Sequence, residues 1–375
     1  MKIALLTDSH AGVRNDSLAF HDYMQRFYSN IFFPYLDDND IRTVIHCGDI
    51  VDRRKYININ TANRLRKDLI EPAIVDRGID WHQIIGNHDT YHKNTNKISS
   101  FVELFNSIPG LNIYDKATEV MFDGLKILLV PWICDDNKEH SYKLIKETNA
   151  QICFGHLELQ GFEMFKGSIV SHGESPELFS RFDLVGSGHF HHRSTRGNIY
   201  YLGSPAEYTW SDYNDPRGFH IFDTETRQLT FIENPYKMFQ KFWYNDGDDA
   251  FVNKNIDYEQ FSGKIIKIII TEKNNPIWFD KFIENVEKTN PVDIQIVEDH
   301  LNLNLEEDQD IIDEAESTID IFKKYITGAE IKGVDKTKLE KTISDLYFEA
   351  VTIEDRKSTR LNSSHTDISR MPSSA

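Results

Sequence analysis

The sequence of 375 residues predicts a layered α/β fold followed by a smaller β-α-β unit. Three observations lead to this prediction. Short apolar runs alternate with helical stretches, short strands with Gly and Asp-Pro turns follow them, and one more strand–helix–strand pattern comes after that. Hydrophobic residues make up 39% of the chain, which excludes a disordered protein and is enough for a substantial core.

The first part of the chain carries apolar runs with the length of buried strands. These predicted strands span residues 3–7, 43–47, 81–85, 125–130, 150–154 and 184–186. Helical periodicity predicts helices over 17–36, capped by Asp16 or Ser17, and over 60–75. Residues 198–232 are predicted to form a meander that closes a second sheet, so we expect a first domain of residues 1–236.

A second, smaller unit is predicted from a strand at 264–271, a helix at 276–289 that opens with Pro276, and a strand at 292–298. This β-α-β pattern predicts a capping domain of residues 237–304. The acidic run 306–316 is expected to be a linker. Two amphipathic helices, 318–327 and 336–351, then form a C-terminal pair, which either docks on the parent domain or binds a partner. Linker and helices together make up residues 305–354.

The last residues, 355–375, differ from the rest of the chain in composition. They are rich in Ser, carry four basic and two acidic residues, and lack apolar periodicity. Their sequence, DRKSTRLNSSHTDISRMPSSA, resembles the conceptual translation of a short-read sequencing adapter. We expect this segment to be an artefact and exclude it from fold reasoning. Without it, the formal charge changes from −18 to −20.

Cysteine content and hydropathy predict an intracellular, cytoplasmic protein. Three Cys residues without a CxxC pair exclude a disulfide scaffold and a cysteine-only zinc site, and they suit a reducing compartment. No apolar run approaches the ~20 residues that span a bilayer. The N-terminal apolar run is too short for a signal peptide. We therefore expect no association with a membrane.

Metal-type side chains follow five of the predicted strands. An isolated DSH or GNHD is more often an ordinary polar turn, but five such clusters at strand ends are not expected by coincidence. Ligand sites gather outside the carboxyl ends of strands in layered α/β folds, so we expect one shared site. The candidate ligands are Asp8, His10, Asp49, Asn87, His156, His189 and His191.

The composition of this ligand set predicts the metal chemistry. His, Asp and Asn ligands without Cys suit Mn²⁺, Fe or Zn²⁺ better than Ca²⁺. Seven ligands exceed what one ion with an open position needs, so two ions are expected, with the central Asp49 bridging them. Paired ions of this kind activate water and stabilise an in-line displacement at phosphorus. The predicted reaction is phosphoester hydrolysis.

The motifs DSH, GDIVDR, GNHD, GH and GHFHH resemble the signature of calcineurin-like metallophosphoesterases over residues 1–235. The resemblance implies a layered β-sandwich flanked by helices. It also implies that His88 contacts the scissile phosphate and protonates the leaving oxygen, with the Asp52 carboxylate orienting it. The implied ligands are Asp8, His10, Asp49 and His191 for one ion, and Asp49, Asn87, His156 and His189 for the other.

Later segments resemble the SbcD family of nuclease subunits in DNA repair, and especially its members from T-even-type bacteriophages. These segments are PWICDD, GHLELQGF, SHGE, YLGSPAEYTWSD and DPRGF. The resemblance implies a DNA exonuclease or endonuclease that uses Mn²⁺ in the cytoplasm of a bacterial or phage-infected cell. It further implies a homodimer, formed through helices of the nuclease domain, and an SMC-like ATPase subunit of the SbcC type bound through residues 318–351.

The negative charge of the chain opposes DNA binding, because a DNA-binding domain usually presents a basic face. Basic residues near the motifs, Arg14, Arg53 and Lys93, are candidates for DNA contact, although Arg53 could equally form a surface ion pair. Two alternatives stay open. The chain could be a small-molecule or protein phosphoesterase of the same superfamily, or a catalytically silent regulator of the ATPase.

Overall fold

The computed structural model describes residues 1–105, 108–165, 167–248 and 256–298. These residues belong to one compact unit, Met1–Asn302. The predicted acidic linker, the helices at 318–327 and 336–351 and the segment 355–375 lie outside the described residues. The predicted domain boundaries therefore stay predictions. None of the described helices is long and apolar enough to cross a bilayer.

The strands of the described residues are numbered in chain order. They are β1 Lys2–Leu6, β2 Thr43–His46, β3 Asp80–Ile84, β4 Thr90–His92, β5 Thr95–Ser99, β6 Leu111–Tyr114, β7 Thr118–Phe122, β8 Leu125–Val130, β9 Ile152–His156, β10 Glu163–Phe165, β11 Ser168–Ile169, β12 Leu184–Gly188, β13 Ser194–Arg196, β14 Ile199–Tyr201, β15 Gly218–Asp223, β16 Leu229–Glu233, β17 Phe239–Asn245, β18 Ile265–Glu272 and β19 Asp293–Glu298.

The helices follow the same order: α1 Leu18–Phe27, α2 Phe33–Asp38, α3 Ile59–Leu65, α4 Glu71–Ile74, α5 Ser100–Phe105, α6 Lys138–Glu147 and α7 Pro276–Glu287. A π-helical segment, Tyr28–Phe32, joins α1 to α2, and another, Arg66–Ile70, joins α3 to α4. The predicted helices at 17–36 and 60–75 are thus confirmed as helical segments, each interrupted by a π-helical turn. Ser17 stands at the N-cap of α1, without a side-chain cap hydrogen bond.

Two six-stranded sheets form a sandwich. The first has the order β16-β15-β1-β2-β3-β6, and the second has the order β13-β14-β12-β9-β8-β7. Apolar side chains from both sheets, such as Leu5, Ile45, Leu129 and Phe154, pack in one buried layer between them. Helices α1 to α4 cover the outer face of the first sheet, and α6 packs against the second. The predicted helix-flanked β-sandwich is confirmed.

The prediction that residues 198–232 close a second sheet is wrong in part. Strands β13 and β14 do join the second sheet, where β14 pairs with β12. Strands β15 and β16 belong to the first sheet instead, because β15 pairs antiparallel with β1. Alternation identifies a hairpin but not the sheet that it joins. The connection between the two hairpins therefore crosses from one sheet to the other.

The β-α-β unit consists of three parallel strands, in the order β17-β18-β19, with α7 packed on one face. Phe242, Ile268 and Phe282 lie at the centre of its small core. The predicted strands and helix of this unit are confirmed, but strand β17 is an addition that the sequence patterns did not indicate. The Glu207 carboxylate accepts the N–H groups of Met238 and Phe239 where β17 begins.

Candidate metal centre

The carboxyl ends of β1, β2, β3, β9 and β12 meet at one edge of the sandwich, and the five predicted motifs follow them there. The turns are tight. Asp8, His10, Asp49 and His189 all have positive φ, a strained region for residues other than glycine. Glycine allows close packing here, since a Cβ at Gly86 would lie 2.2 Å from Asp49 Oδ1. The topology therefore concentrates the candidate ligands at this edge.

One group of side chains surrounds His10. Its Nε2 lies 2.9 Å from His191 Nε2, 3.9 Å from Asp8 Oδ1 and 3.9 Å from Asp49 Oδ2. Asp8 is itself held in place, because its carboxylate accepts hydrogen bonds from the Thr7 hydroxyl and the His189 N–H. One ligand atom each of Asp8, His10 and His191 thus lies within 4.8 Å of the others, close enough to hold one ion, and Asp49 borders this group through His10.

A second group forms around Asn87. Its Oδ1 lies 2.9 Å from His156 Nε2 and 3.0 Å from His189 Nδ1, and Asp49 Oδ2 lies 3.2 Å from His156 Nε2. Asp49 therefore belongs to both groups. Burial alone would lower the pKa of His156, but the neighbouring Asp49 carboxylate raises this pKa to about 9. The same pairing holds the pKa of Asp49 well below its usual range despite burial.

In both His156 and His189, the ring nitrogen that points away from Asn87 faces a hydrogen-bond acceptor. In metal sites such contacts fix the tautomer and the orientation of the ring. His156 Nδ1 lies 2.8 Å from the Cys47 carbonyl oxygen, and His189 Nε2 lies 3.7 Å from Glu158 Oε1. The ring nitrogens that face Asn87, His156 Nε2 and His189 Nδ1, are thereby left to bind a metal ion. Imidazole nitrogens with carboxylate and amide oxygens suit divalent ions such as Mn²⁺ or Zn²⁺. The residues present fit two ions.

His88 lies beside both groups, and it forms a further cluster of ligand-type atoms with His10 and Asp52. Its N–H donates to Asp49 Oδ1 at 2.7 Å, and its ring centroid is 5.0 Å from that of His10. The ring Nδ1 donates to the main-chain carbonyl of Asp52. The Asp52 carboxylate lies 3.5 Å from His10 Nδ1, so the hydrogen bond to His88 comes from the main chain of Asp52, and an orienting role of the carboxylate stays a prediction. With Nδ1 committed, Nε2 is the nitrogen left to exchange a proton.

Asp89 is a site residue that the sequence patterns did not single out. It is fully buried, and its carboxylate accepts four backbone hydrogen bonds, from Gly86, Asp49, Ile50 and Val51, at 2.8 to 3.3 Å. Burial raises the pKa of Asp89 to about 6, and these backbone donors oppose the shift. Asp89 thus ties the loop of Asp49 to the loop of Asn87. The sequence feature that could have identified Asp89 is its position as the last residue of the GNHD motif.

A buried ionic network supports the first group of ligands from behind. The Arg217 guanidinium contacts Asp212 at 2.6 Å and Asp215 at 2.8 Å, and it donates to the His191 carbonyl oxygen. Asp212 also accepts the N–H of Tyr208, whose hydroxyl donates to the carbonyl oxygens of Asp8 and Ser9. The segments YTWSD and DPRGF therefore brace the loops that carry Asp8 and His191.

The three predicted DNA-contact residues lie in different surroundings. Arg14 donates from Nε to the Tyr208 carbonyl oxygen at 2.9 Å. Arg53 forms an ion pair with Asp16 at 2.9 Å and also donates to Asn15, in line with the expected alternative of an ion pair. Lys93 is exposed in the turn between β4 and β5. The structure places none of the three among the metal-type residues, and their contact with DNA stays a prediction.

Comparisons with known proteins identify the family of this chain. The family model for calcineurin-like phosphoesterases matches residues 1–193. Exonuclease subunit 1 of Enterobacteria phage T4 is 36% identical over 351 residues, which cover 93% of this chain and 99% of the relative. The SbcD subunit of nuclease SbcCD from Staphylococcus saprophyticus is 24% identical over 393 residues, with the same shares.

Among solved structures, an archaeal phosphodiesterase covers 62% of this chain and 100% of its own, at 15% identity and a TM-score of 0.32. The match of the family model and the identity to the phage protein, together with two groups of donors that share Asp49, lead to one conclusion. The chain belongs to the calcineurin-like phosphoesterase family.

Proposed function

We propose that this chain is the nuclease subunit of a DNA-processing complex and hydrolyses DNA phosphodiesters at a centre of two divalent ions. The observation that carries the proposal is the position of Asp49, whose Oδ2 lies 3.9 Å from His10 Nε2 in one group and 3.2 Å from His156 Nε2 in the other. The names of two relatives, an exonuclease subunit and a nuclease subunit, support nucleic acid as the substrate.

Each side chain has a distinct task in this proposal. Asp8, His10 and His191 would hold one ion, Asn87, His156 and His189 would hold the other, and Asp49 would contribute to both. When bound, the ions lower the pKa of water and neutralise charge that develops on the phosphate, and Mn²⁺ is the ion that we propose. His88 would protonate the leaving 3′ oxygen through Nε2, and the hydrogen bond from its Nδ1 to the Asp52 carbonyl oxygen supports this role.

We propose that residues 318–351 bind an SMC-like ATPase of the SbcC type, since the staphylococcal relative is named as a subunit of SbcCD. A chain that ends at residue 316 should keep its metal content and lose association with the ATPase. Unchanged association would overturn this part of the proposal. The ATPase would also contribute basic DNA-binding surface, which offsets the formal charge of −18 of this chain.

A homodimer through helices of the nuclease domain is also part of the proposal. The N-terminal ends of α1 and α3 expose Leu18 and Ile59, of which 65% and 88% are accessible. The two helices contact each other through His21 and Thr61, so Leu18 and Ile59 are exposed on adjacent helices. All three cysteines are buried free thiols, which suits the proposed location in the cytoplasm.

The test is nuclease activity on an end-labelled linear duplex with Mn²⁺, with a cyclic nucleotide as the alternative substrate. The variant Asn87→Ala removes an oxygen shared by His156 and His189 and should abolish degradation of the duplex. Activity on the cyclic nucleotide alone would favour a small-molecule phosphoesterase. Activity on neither substrate, with or without the ATPase, would favour a catalytically silent regulator.

A further inference from the structure

Trp132 follows β8 and lies beside the second group of ligands. Its backbone is held firmly, because its N–H donates to the Ile85 carbonyl oxygen at 2.8 Å and its carbonyl oxygen accepts from Asn96 and Asn137, each at 2.9 Å. These contacts attach it to the strand that leads into Asn87. The position of Trp132 relative to the metal centre is therefore fixed by the fold.

The indole ring of Trp132 lies against metal-type histidines. Its centroid is 5.2 Å from that of His189, at an interplanar angle of 45°, and 6.3 Å from that of His156. The side chain is only partly buried, and it belongs to none of the hydrophobic clusters of the described residues. The ring thus borders the centre without being part of a core.

Comparison with Trp81 shows what a structural tryptophan looks like in the same protein. Trp81 is fully buried, and its indole N–H donates to Gln83 Oε1 at 3.2 Å, as buried tryptophans usually do. The indole N–H of Trp132 makes no hydrogen bond to a described residue and is not enclosed. Apart from the ring contacts with His189 and His156, neither a hydrophobic cluster nor an indole hydrogen bond of the described residues accounts for a large aromatic side chain at this position.

A rigid, partly exposed aromatic ring beside a phosphodiester site is suited to stacking on a nucleobase. Such stacking tolerates any sequence, because every base has a π face. We infer that Trp132 stacks on the base of a nucleotide that adjoins the scissile phosphate and so positions the DNA strand at the centre. The inference rests on the proposed function and adds to it a residue that contacts the substrate away from the reacting atoms.

The test combines a protein variant with a substrate variant. Wild type and Trp132→Ala are each assayed with Mn²⁺ on a duplex with all bases and on duplexes that carry an abasic site on either side of the cleaved bond. We expect Trp132→Ala to lower kcat/KM on the complete duplex by about ten-fold or more. On one of the two abasic duplexes, the kcat/KM of wild type should fall by a similar factor relative to the complete duplex. The kcat/KM of Trp132→Ala should be nearly the same on that abasic duplex as on the complete one.

Controls separate stacking from support of His189. Trp132→Phe keeps a ring and should recover most of the activity, and Trp278→Ala removes a half-exposed tryptophan of α7 and should have no effect. The inference would be overturned if Trp132→Ala lowered kcat/KM relative to wild type by the same factor on complete and abasic duplexes, or if this variant lost Mn²⁺. Either result would mean that Trp132 only supports His189. If wild type degrades no duplex, the proposed function fails instead. If Trp132→Ala matches wild type, only the stacking fails.

Discussion

Replacement of Arg217 by Met tests whether the buried ionic network holds the metal-binding loops. Arg217 is 2% exposed and pairs with Asp212 and Asp215, so the variant leaves two carboxylates without their cation. Removing one partner of a buried ion pair costs about 3–5 kcal/mol. Asp212 keeps two backbone N–H donors and Asp215 keeps His192. We therefore expect a loss near the lower limit, about 3 kcal/mol.

The assay is urea unfolding of the metal-free protein at pH 7, so that ion binding does not contribute to the measured stability. Arg227→Met is the matched control. Its ion pair with Asp183 is 2.9 Å long, but both side chains are about half exposed, so we expect a loss below about 1 kcal/mol. The reasoning is refuted if the free energy of unfolding falls by the same amount in both variants.

Three further substitutions test individual site residues. His88→Ala should abolish turnover and keep both ions, since His88 is proposed as the general acid and not as a ligand, although it clusters with His10 and Asp52; loss of Mn²⁺ in a metal analysis would make it a ligand. Asp89→Asn turns an amide towards backbone N–H donors, and it should lower the free energy of unfolding by at least about 2 kcal/mol and weaken Mn²⁺ binding; unchanged urea unfolding would contradict this. Glu158→Gln should lower the affinity for one of the two ions about 10- to 100-fold in calorimetry, because Glu158 faces His189 Nε2. An equal loss of affinity for both ions would contradict this.

The seven candidate ligands could be found from the sequence because each follows an apolar strand in chain order. Parallel strands bring their carboxyl ends to one edge, so Asp8, Asp49 and Asn87 meet there without further information. The supporting residues could not be found in this way. Asp89 acts through main-chain N–H groups, and Arg217 acts through a carbonyl oxygen that lies 26 residues away in sequence. Such contacts depend on loop conformation and leave no periodic pattern.

Two other differences have a similar cause. The carbonyl oxygen of Asp52 contacts His88, whereas a motif identifies only the side chain at that position. Arg53 stands among basic neighbours in sequence, yet in the structure it pairs with Asp16. Local sequence cannot show that pairing, because Asp16 lies in a turn of the preceding segment in which Arg14, Asn15 and Asp16 all have positive φ.

Anomalous diffraction from a crystal grown with Mn²⁺ would test the central claim most directly. We expect two peaks, one within coordination distance of Asp8, His10 and His191 and the other of Asn87, His156 and His189, with Asp49 reaching both. A single peak, or two peaks of which Asp49 contacts only one, would contradict the two-ion centre on which the proposed nuclease function rests.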